Sequence, residues 1–539
     1  MSISGKTYWL LSAIVLLGAA ARFSGLESLP PSLNWDEVSH GYNAYSLFKT
    51  GSDEWGVTLP AIFRAFGDYK LPVYIYATVL SEVLFGLTAT GVRFFSVISG
   101  VLLIPVTFLI ARKIFSSNIA ALFSAFLVAL EPWTFFLSRG AFEANTGAFI
   151  FSLGVCLLLY RKFFLSALVF GLSVWTYNSF RIFTPLFLMG IGILYRREFM
   201  AYFRQQKKVI IASGIVLGLF LTPMFYQLFS AEGQSRFQWL NILDEGGIAK
   251  IISLRQSSDL PALPVRLLYN RYTYFTYSVA SNYIKYFSPD FLYIKGGSHY
   301  QFSVPGHGLL YLSGLPFLLL GLGVMVFVPG RYKKLLLAWL LLAAVPGSIT
   351  RDAPHTLRAV TFLPLPMLLT GFGASVAWTR SRYGSVISLL FLVLIGVSFS
   401  NYVSRILPSY RQNYSWAYQY GYRQAVLYIK NNYDQYDRII FTKKNGEPHE
   451  FVLFYWNWDP QSFKTDPALS RYFKSSWYWV DGFSKFTFVN DWEMEDFVEA
   501  LPPTGRNLII SSPESPTEAT PVARIDLLDG QTAFFIKKQ

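Results

Sequence analysis

Residues able to do chemistry gather at several points along this chain, each close to the end of a long apolar run. The stretch "LNWDEVSHGYNAYSLFKTG" (33–51) sets Asp36 beside Glu37 and adds His40. The segment "EPWTFFLSRGAFEANTG" (131–147) places Arg139 and Glu143 four apart, and "YNSFR" does the same for Tyr177 and Arg181. In "TRDAPHTLRAV" (350–360) His355 and Arg358 are three apart, and Lys70 stands alone before another apolar stretch. At spacings of three and four, such pairs share one helix face. Carboxylates next to Arg, Lys and His suit general-base work on an incoming hydroxyl beside a cationic clamp for phosphate. Each charge also has a plainer reading. Carboxylates favour a first helical turn, and Lys and Arg snorkel from span ends. A charge directed into the bilayer core costs about 2.5–3.5 kcal/mol. The charges that mark no inner loop collect on one side, which suits a site at outer headgroup depth, where a lipid-linked phosphate carries its anion.

Other chemistries find no support. No Gly-rich nucleotide loop is present, since "GLGVMVFVPG" from Gly321 reads as part of a span. The five histidines show no zinc-ligand spacing, so no cofactor is expected, and a need for a divalent metal stays open. No Ser or Cys nucleophile lies beside a plausible base. The single cysteine, Cys156, falls inside an apolar run and reads as a small core residue.

The elements that position these groups follow from hydropathy. Hydrophobic residues make up 53% of the 539, aromatics 18% and charged residues only 14%, which is a membrane composition. The net charge of +14 does not point to nucleic acid, because Lys and Arg sit in short loops between apolar runs, where they set orientation. With Lys6 inside, spans are expected near 8–23, 91–111, 119–137, 144–160, 163–179, 182–195, 209–229, 306–328, 335–350, 358–378 and 385–403. Every inner loop of that eleven-span register is then basic, with Glu198 its only carboxylate. The start, Lys6 before Tyr8–Ala21, reads as an uncleaved span rather than a signal peptide. Leu71–Leu87 breaks the sign pattern if it crosses, and it carries Glu82, so it reads as a helix lying in the outer interface.

Two outer loops result, 24–90 and the Tyr-rich 230–305. In the first, Asn34 is expected to cap a helix ending before Gly51, with Val38, Tyr42 and Tyr45 on one face and Asp36, His40 and Asn43 on another. Beyond about 403 the pattern becomes that of a soluble α/β domain, 404–539. Helices are expected at Tyr418–Asn431 and Glu493–Ala500, and strands at Arg438–Phe441 and Leu508–Ser511. Asp529–Gly530 turns a hairpin between Ala523–Leu528 and Thr532–Lys537. The expected fold class is a polytopic α-helical membrane protein with a C-terminal extracytoplasmic α/β domain.

In order and spacing, "WDE" after the first span, "YKLPVYIY" before the second, "SRGAFEA" after the third and "PHTLRAVTFLPLP" before the tenth resemble bacterial GT-C glycosyltransferases. The pattern is nearest to the protein O-mannosyltransferases and the lipid A aminoarabinose transferase, over roughly residues 1–403. The resemblance implies a polyprenyl-phosphate sugar donor, an outward-facing site and inversion at the anomeric carbon. It places Asp36 at the catalytic acidic position, Glu37 as its companion, Lys70 on donor phosphate and Arg139 near the site. Glu143 stands where many relatives carry Asp, as a second carboxylate. Tyr177, Arg181, His355, Arg358 and His40 are further candidates for substrate binding, by placement. The expected partners are the lipid-linked sugar, membrane lipids and an acceptor glycan, lipid or protein, at the outer face of the cytoplasmic membrane. Two rivals use the same features: a carrier flipping lipid-linked sugars, and a polymerase or ligase using a diphosphate-linked glycan. The chain lacks the repeated halves and midplane charges of a carrier, and the Asp36–Glu37 pair favours a monosaccharide phosphate over the ligase chemistry.

Overall fold

The structure is a computed structural model, and it describes residues 4–230, 233–234, 239–502, 505–517 and 519–539. Residues 231–232 and 235–238 of the expected loop 230–305 lie outside the described residues. The chain divides into two compact units. One comprises 1–22, 98–138 and 143–401; the other comprises 23–97, 139–142 and 402–539. The composition change near residue 403 thus coincides with a unit boundary, and the first loop groups with the residues after it.

The first unit is helical. Helices form at Gly5–Phe23, Asn118–Leu130, Glu143–Leu159, Phe163–Ser173, Asn178–Leu194, Lys207–Leu228, Leu315–Phe327, Lys333–Ala343, Leu365–Arg380 and Gly384–Asn401. Among the described residues three helices, Ala89–Phe115, Lys207–Leu228 and Gly384–Asn413, are long and apolar enough to cross a membrane. Several others are shorter than their expected spans. Phe163–Ser173 and Lys333–Ala343 each hold 11 residues, and regular helix near the expected eighth span starts only at Leu315. Asn178–Leu194 continues into Arg196–Gln205 through an 87° bend.

Close backbone approach holds these helices together. A Cβ on Gly321 would meet the Leu369 carbonyl, and one on Gly373 would meet the Phe317 carbonyl. Small residues therefore let Leu315–Phe327 lie against Leu365–Arg380, as lipid-immersed helices require. Phe151 lies 4.8–5.6 Å, centroid to centroid, from Phe170, Phe180, Phe183, Phe187 and Trp339, which ties four helices into one aromatic core. Arg22 is fully buried and donates to the carbonyls of Val128 and Ala129 at 2.8 and 2.7 Å.

The second unit is mixed. A seven-stranded sheet runs in the order β4-β5-β6-β3-β7-β9-β8. Its strands are β3 (Arg438–Thr442), β4 (Ser470–Lys474), β5 (Trp477–Phe483), β6 (Phe486–Val489), β7 (Asn507–Ser511), β8 (Thr520–Asp526) and β9 (Thr532–Lys538). β3 is parallel to both neighbours, β6 and β7, while the outer pairs are antiparallel. The all-apolar centre of β3 fits a strand covered on both faces. The expected strands and the 529–530 hairpin are present, Tyr422–Asn432 overlaps the helix expected at Tyr418–Asn431, and Met494–Glu499 falls within that expected at Glu493–Ala500. The β4–β6 meander and the helix Pro448–Trp456 were not foreseen, because their short aromatic runs carry no clear period.

The first loop folds into this same unit. Val38 and Tyr42 share one apolar core with Tyr422, Phe441, Phe451, Phe454 and Phe534. The helix Pro72–Phe85 forms where an outer interfacial helix was expected, with Tyr74, Ile75, Thr78 and Ser81 turned inward and Leu80, Val83 and Leu84 exposed. A short ribbon, β1 (Phe63–Arg64) with β2 (Tyr69–Lys70), precedes it.

The helix Trp35–Thr50 has the expected ends. Asn34 and Glu37 exchange hydrogen bonds in a capping box, and Gly51 closes the C-terminus at φ +69°, a conformation that only glycine adopts freely. Asn34→Ala is expected to cost about 1 kcal/mol, read as a lowered thermal midpoint of the purified protein.

Four titratable groups lie buried between the loop and the sheet-bearing segment: Glu54, Glu447, His449 and Glu450. Burial lifts the Glu447 carboxyl from 4.5 to about 7 and also raises Glu54 and Glu450. Burial, then the charges of Lys443 and Arg471, lowers the His449 imidazole to about 3. Between pH 4.5 and 7 the folded Glu447 keeps a proton that the unfolded chain has lost, so stability falls as pH rises. His449 acts oppositely between 3 and 6.5, but it is one group against three. In chelator-containing buffer, thermal midpoints are expected to peak near pH ~5 and to decline toward neutrality. Glu447→Gln should remove on the order of 3 kcal/mol of that dependence.

Candidate active site

Within the second unit, the capped helix brings Asp36 and Glu37 to its first turn, where they meet different surroundings. The Asp36 carboxylate stays about one-third exposed and pairs with Lys70 Nζ at 2.6 Å. Lys70 is held at the end of the β1–β2 ribbon, opposite the fully buried Phe63. Trp35 forms a wall beside Asp36, with its ring 5.7 Å from Phe66 and 6.4 Å from Trp477, centroid to centroid. An accessible carboxylate with one cation at hydrogen-bond distance can take a proton from a hydroxyl.

Glu37 is buried and fully engaged. Its Oε1 accepts from Arg93 Nε at 2.8 Å and from the Ala141 N–H at 2.9 Å. Its Oε2 accepts from a second Arg93 nitrogen at 3.0 Å and from the Asn34 N–H at 3.1 Å. Arg93 also donates to the carbonyls of Leu26, Pro30 and Ser32. Four donors on one buried carboxylate make a locked hub. It fixes the helix start, the segment before it and the Arg139–Phe142 turn relative to one another.

Arg139 reinforces that lock. Its side chain is buried and donates to Ser24 O at 2.7 Å and Leu29 O at 3.1 Å. Burial first, then the nearby Arg93 charge, brings its guanidinium down to about 10, so it stays charged at neutral pH. His40 is buried, its ring 5.5 Å from that of Tyr74. Asn43, on the same helix face, donates to Glu54 Oε1 at 2.8 Å.

The first unit assembles the other candidates. Tyr177 precedes the helix Asn178–Leu194, and its side chain packs where a Cβ on Gly147 would be, one turn after Glu143. Glu143 opens its own helix and is partly exposed. Arg181, one turn beyond Tyr177, stacks 5.3 Å over the Trp175 ring and donates to Val174 O and to the Gln227 side chain. Arg358 donates to Thr350 Oγ1 at 2.7 Å and has Asp352 within 3.6 Å. The Tyr286 hydroxyl accepts the His355 N–H at 3.1 Å. Burial pushes that phenol up to about 12, opposed by the Arg358 charge, with Tyr177 near enough to add a small rise. Tyr177, Tyr286, His355 and Arg358 are therefore neighbours, gathered from three separate parts of the chain. A cavity of about 570 Å³ lies elsewhere in this unit and is lined by Lys113, Arg161, Tyr195, Tyr202 and Arg331 among apolar side chains. None of the candidate residues lines it, and it belongs to the basic loops assigned to the inner side.

Sequence reasoning missed Arg93 and the aromatic wall. Arg93 carried a usable signal, an arginine inside the apolar stretch "TGVRFFSV", where a charge needs a buried partner. Phe66 and Trp477 carried none, since their roles depend on long-range packing.

Residues 12–195 match the family model described as dolichyl-phosphate-mannose-protein mannosyltransferase. No curated protein matches the chain. Among solved structures, ArnT from Cupriavidus metallidurans bound to undecaprenyl phosphate superposes with a TM-score of 0.54 at 14% identity, over 100% of this chain and 98% of that one. Its apo state aligns equally well, over 99% and 98%. The Archaeoglobus fulgidus oligosaccharyltransferase complex with Zn and sulfate gives a TM-score of 0.51 at 13% identity, over 83% of this chain and 61% of that one. The GT-C resemblance read from the motifs is borne out at the level of the fold, and the chain is a membrane protein.

Proposed function

We propose that this chain is an inverting glycosyltransferase that moves a sugar from a polyprenyl-phosphate donor to an acceptor hydroxyl at the outer face of the cytoplasmic membrane. The observation that carries this reading is the accessible Asp36 carboxylate, paired with Lys70 at 2.6 Å on a helix start that Glu37 and Arg93 make rigid. The likeness to ArnT, a protein bound to undecaprenyl phosphate, and the mannosyltransferase match over 12–195 support the lipid-linked donor.

In this reading Asp36 takes the proton of the acceptor hydroxyl as that oxygen attacks the anomeric carbon, and the bond to the lipid phosphate breaks on the opposite face. Lys70 tunes the base and stabilises charge growing on the phosphate. Glu37 and Arg139 are positioning residues, because their polar atoms bind the chain around Asp36. In the first unit, Arg181, His355 and Arg358, with Tyr177 beside them, supply cationic and hydroxyl donors suited to a phosphate, and Glu143 adds a carboxylate. Eleven crossings, with basic loops inside and both outer loops and the 404–539 segment outside, fit the sign pattern of Lys and Arg.

The test is purified protein incubated with labelled polyprenyl-phosphate sugars and membrane fractions. Label appearing on an acceptor supports transfer, whereas donor movement across vesicles without label transfer supports the carrier instead. Arg358→Ala is expected to weaken donor response about tenfold or more while sparing the fold; an unchanged donor titration retires its role.

A further inference from the structure

Away from the Asp36 site, the second unit buries a second group of ionisable side chains whose composition differs from an ordinary ion-pair network. Glu54 comes from the first loop, while His449 and Glu450 lie in the first turn of the helix Pro448–Trp456. All three are at least 96% buried. One donor atom from each lies within 4.8 Å of the others, and His449 Nε2 is 3.8 Å from Glu450 Oε1. No lysine or arginine nitrogen is within ion-pair distance of any of these three side chains among the described residues. Of the cations in the surroundings, Lys443 is bound to Asp481, and Arg471 donates to the backbone oxygens of Glu54 and Trp55.

Two buried carboxylates this close cannot both stay ionised without a compensating positive charge. The polar atoms around them are also incompletely used. Among the described residues, Glu450 Oε2 and His449 Nδ1 have no hydrogen-bond partner. Asn43 occupies one oxygen of Glu54 and fixes that side chain. Glu447 Oε2 faces His449 Nδ1 at 3.5 Å, with its other oxygen on Trp477 Nε1 at 2.6 Å. A carboxylate behind one imidazole nitrogen leaves the other nitrogen to ligate, the arrangement that outer-shell carboxylates give metal-bound histidines.

We propose that Glu54, His449 and Glu450 form a structural site for a divalent transition-metal ion of the zinc or manganese class, with Glu447 orienting the imidazole. Ligands about 2.0–2.2 Å from a tetrahedral ion stand roughly 3.3–3.6 Å apart, so this group closes onto an ion by side-chain shifts of an ångström or less. The ion ties the first loop, which also carries Asp36, to the segment after residue 402 at a point where neither brings a lysine or arginine nitrogen within ion-pair distance of these side chains among the described residues. Without it, Glu54 and Glu450 hold protons between them.

The experiment uses full-length, untagged protein purified in detergent, stripped with chelator, dialysed and then titrated separately with zinc chloride and manganese chloride. Metal per chain and thermal midpoint are both read. Roughly one ion retained per chain, with a midpoint raised by several degrees, is the expected result. Glu450→Gln should weaken binding at least about tenfold, whereas His307→Gln, in the other unit, should not change it. Wild-type protein that retains no stoichiometric ion and shows no midpoint shift overturns the site. So does Glu450→Gln protein that binds as tightly as wild type. Should that variant not fold, His449→Asn makes the same comparison, and the wild-type stoichiometry decides by itself.

Discussion

Asp36→Asn is expected to lower the turnover of sugar transfer by about 10²–10⁴-fold, the range that a positioned general base contributes. The substitution keeps the shape and the helix-start position but removes the negative charge that both accepts the proton and pairs with Lys70 at 2.6 Å. Asp36 is partly exposed and takes no part in the Glu37–Arg93 hub, so the thermal midpoint should move little. Donor affinity should be largely kept, because the lost group acts on the acceptor. The assay is initial-rate transfer from a labelled polyprenyl-phosphate sugar, with donor binding measured alongside. Near-wild-type turnover in this variant removes Asp36 from the role of base. Loss of transfer together with loss of fold calls for Asp36→Glu, which retains the carboxylate and should recover part of the rate.

Arg93→Ala should be the most destabilising single change near the site, at about 3–5 kcal/mol, because it leaves the Glu37 carboxylate buried without its cation. The guanidinium is fully buried and also holds the carbonyls of Leu26, Pro30 and Ser32, so the segment leading into the helix loses its anchor with it. Glu37→Leu alone strands the arginine in the same way. The double variant Arg93→Ala with Glu37→Leu should recover only part of the loss. Removing both charges relieves the unpaired ion, but the N–H groups of Asn34 and Ala141 are left without acceptors, at about 1–3 kcal/mol each. Thermal melts of the four proteins form a double-mutant cycle. Additive effects within about 0.5 kcal/mol would show that Glu37 and Arg93 do not act as one unit. The two experiments also separate the adjacent carboxylates. Asp36 substitutions should cost rate at constant stability, whereas Glu37 and Arg93 substitutions should cost stability first.

That contrast shows how far the linear chain can be read. Asp36 and Glu37 are neighbours in sequence and share a helix turn, and both stand out as carboxylates after an apolar run. Nothing local distinguishes them. Their surroundings divide because the side chain of Glu37 meets an arginine from the start of the next long helix, while that of Asp36 meets a lysine at the end of a ribbon. Arg139 is a similar case: its spacing from Glu143 suggested a shared face, but its donors reach backbone carbonyls of the first loop.

The sequence by itself determined whatever depends on near neighbours. Apolar runs marked where most helices of the first unit lie though not how far each extends, Asn34 and Gly51 set both ends of the Trp35–Thr50 helix, and Asp529–Gly530 set the hairpin, because caps and turns are satisfied within a few residues. The distribution of Lys and Arg marked the basic loops, since loop charge needs no partner to be read. Only the tertiary structure decided which charges are buried and with whom, that the first loop and the last segment share one core, and that Glu54, His449 and Glu450 meet. Burial of a charge is set by the whole set of groups that surround it, and those groups come from segments hundreds of residues apart whose pairing no local period encodes.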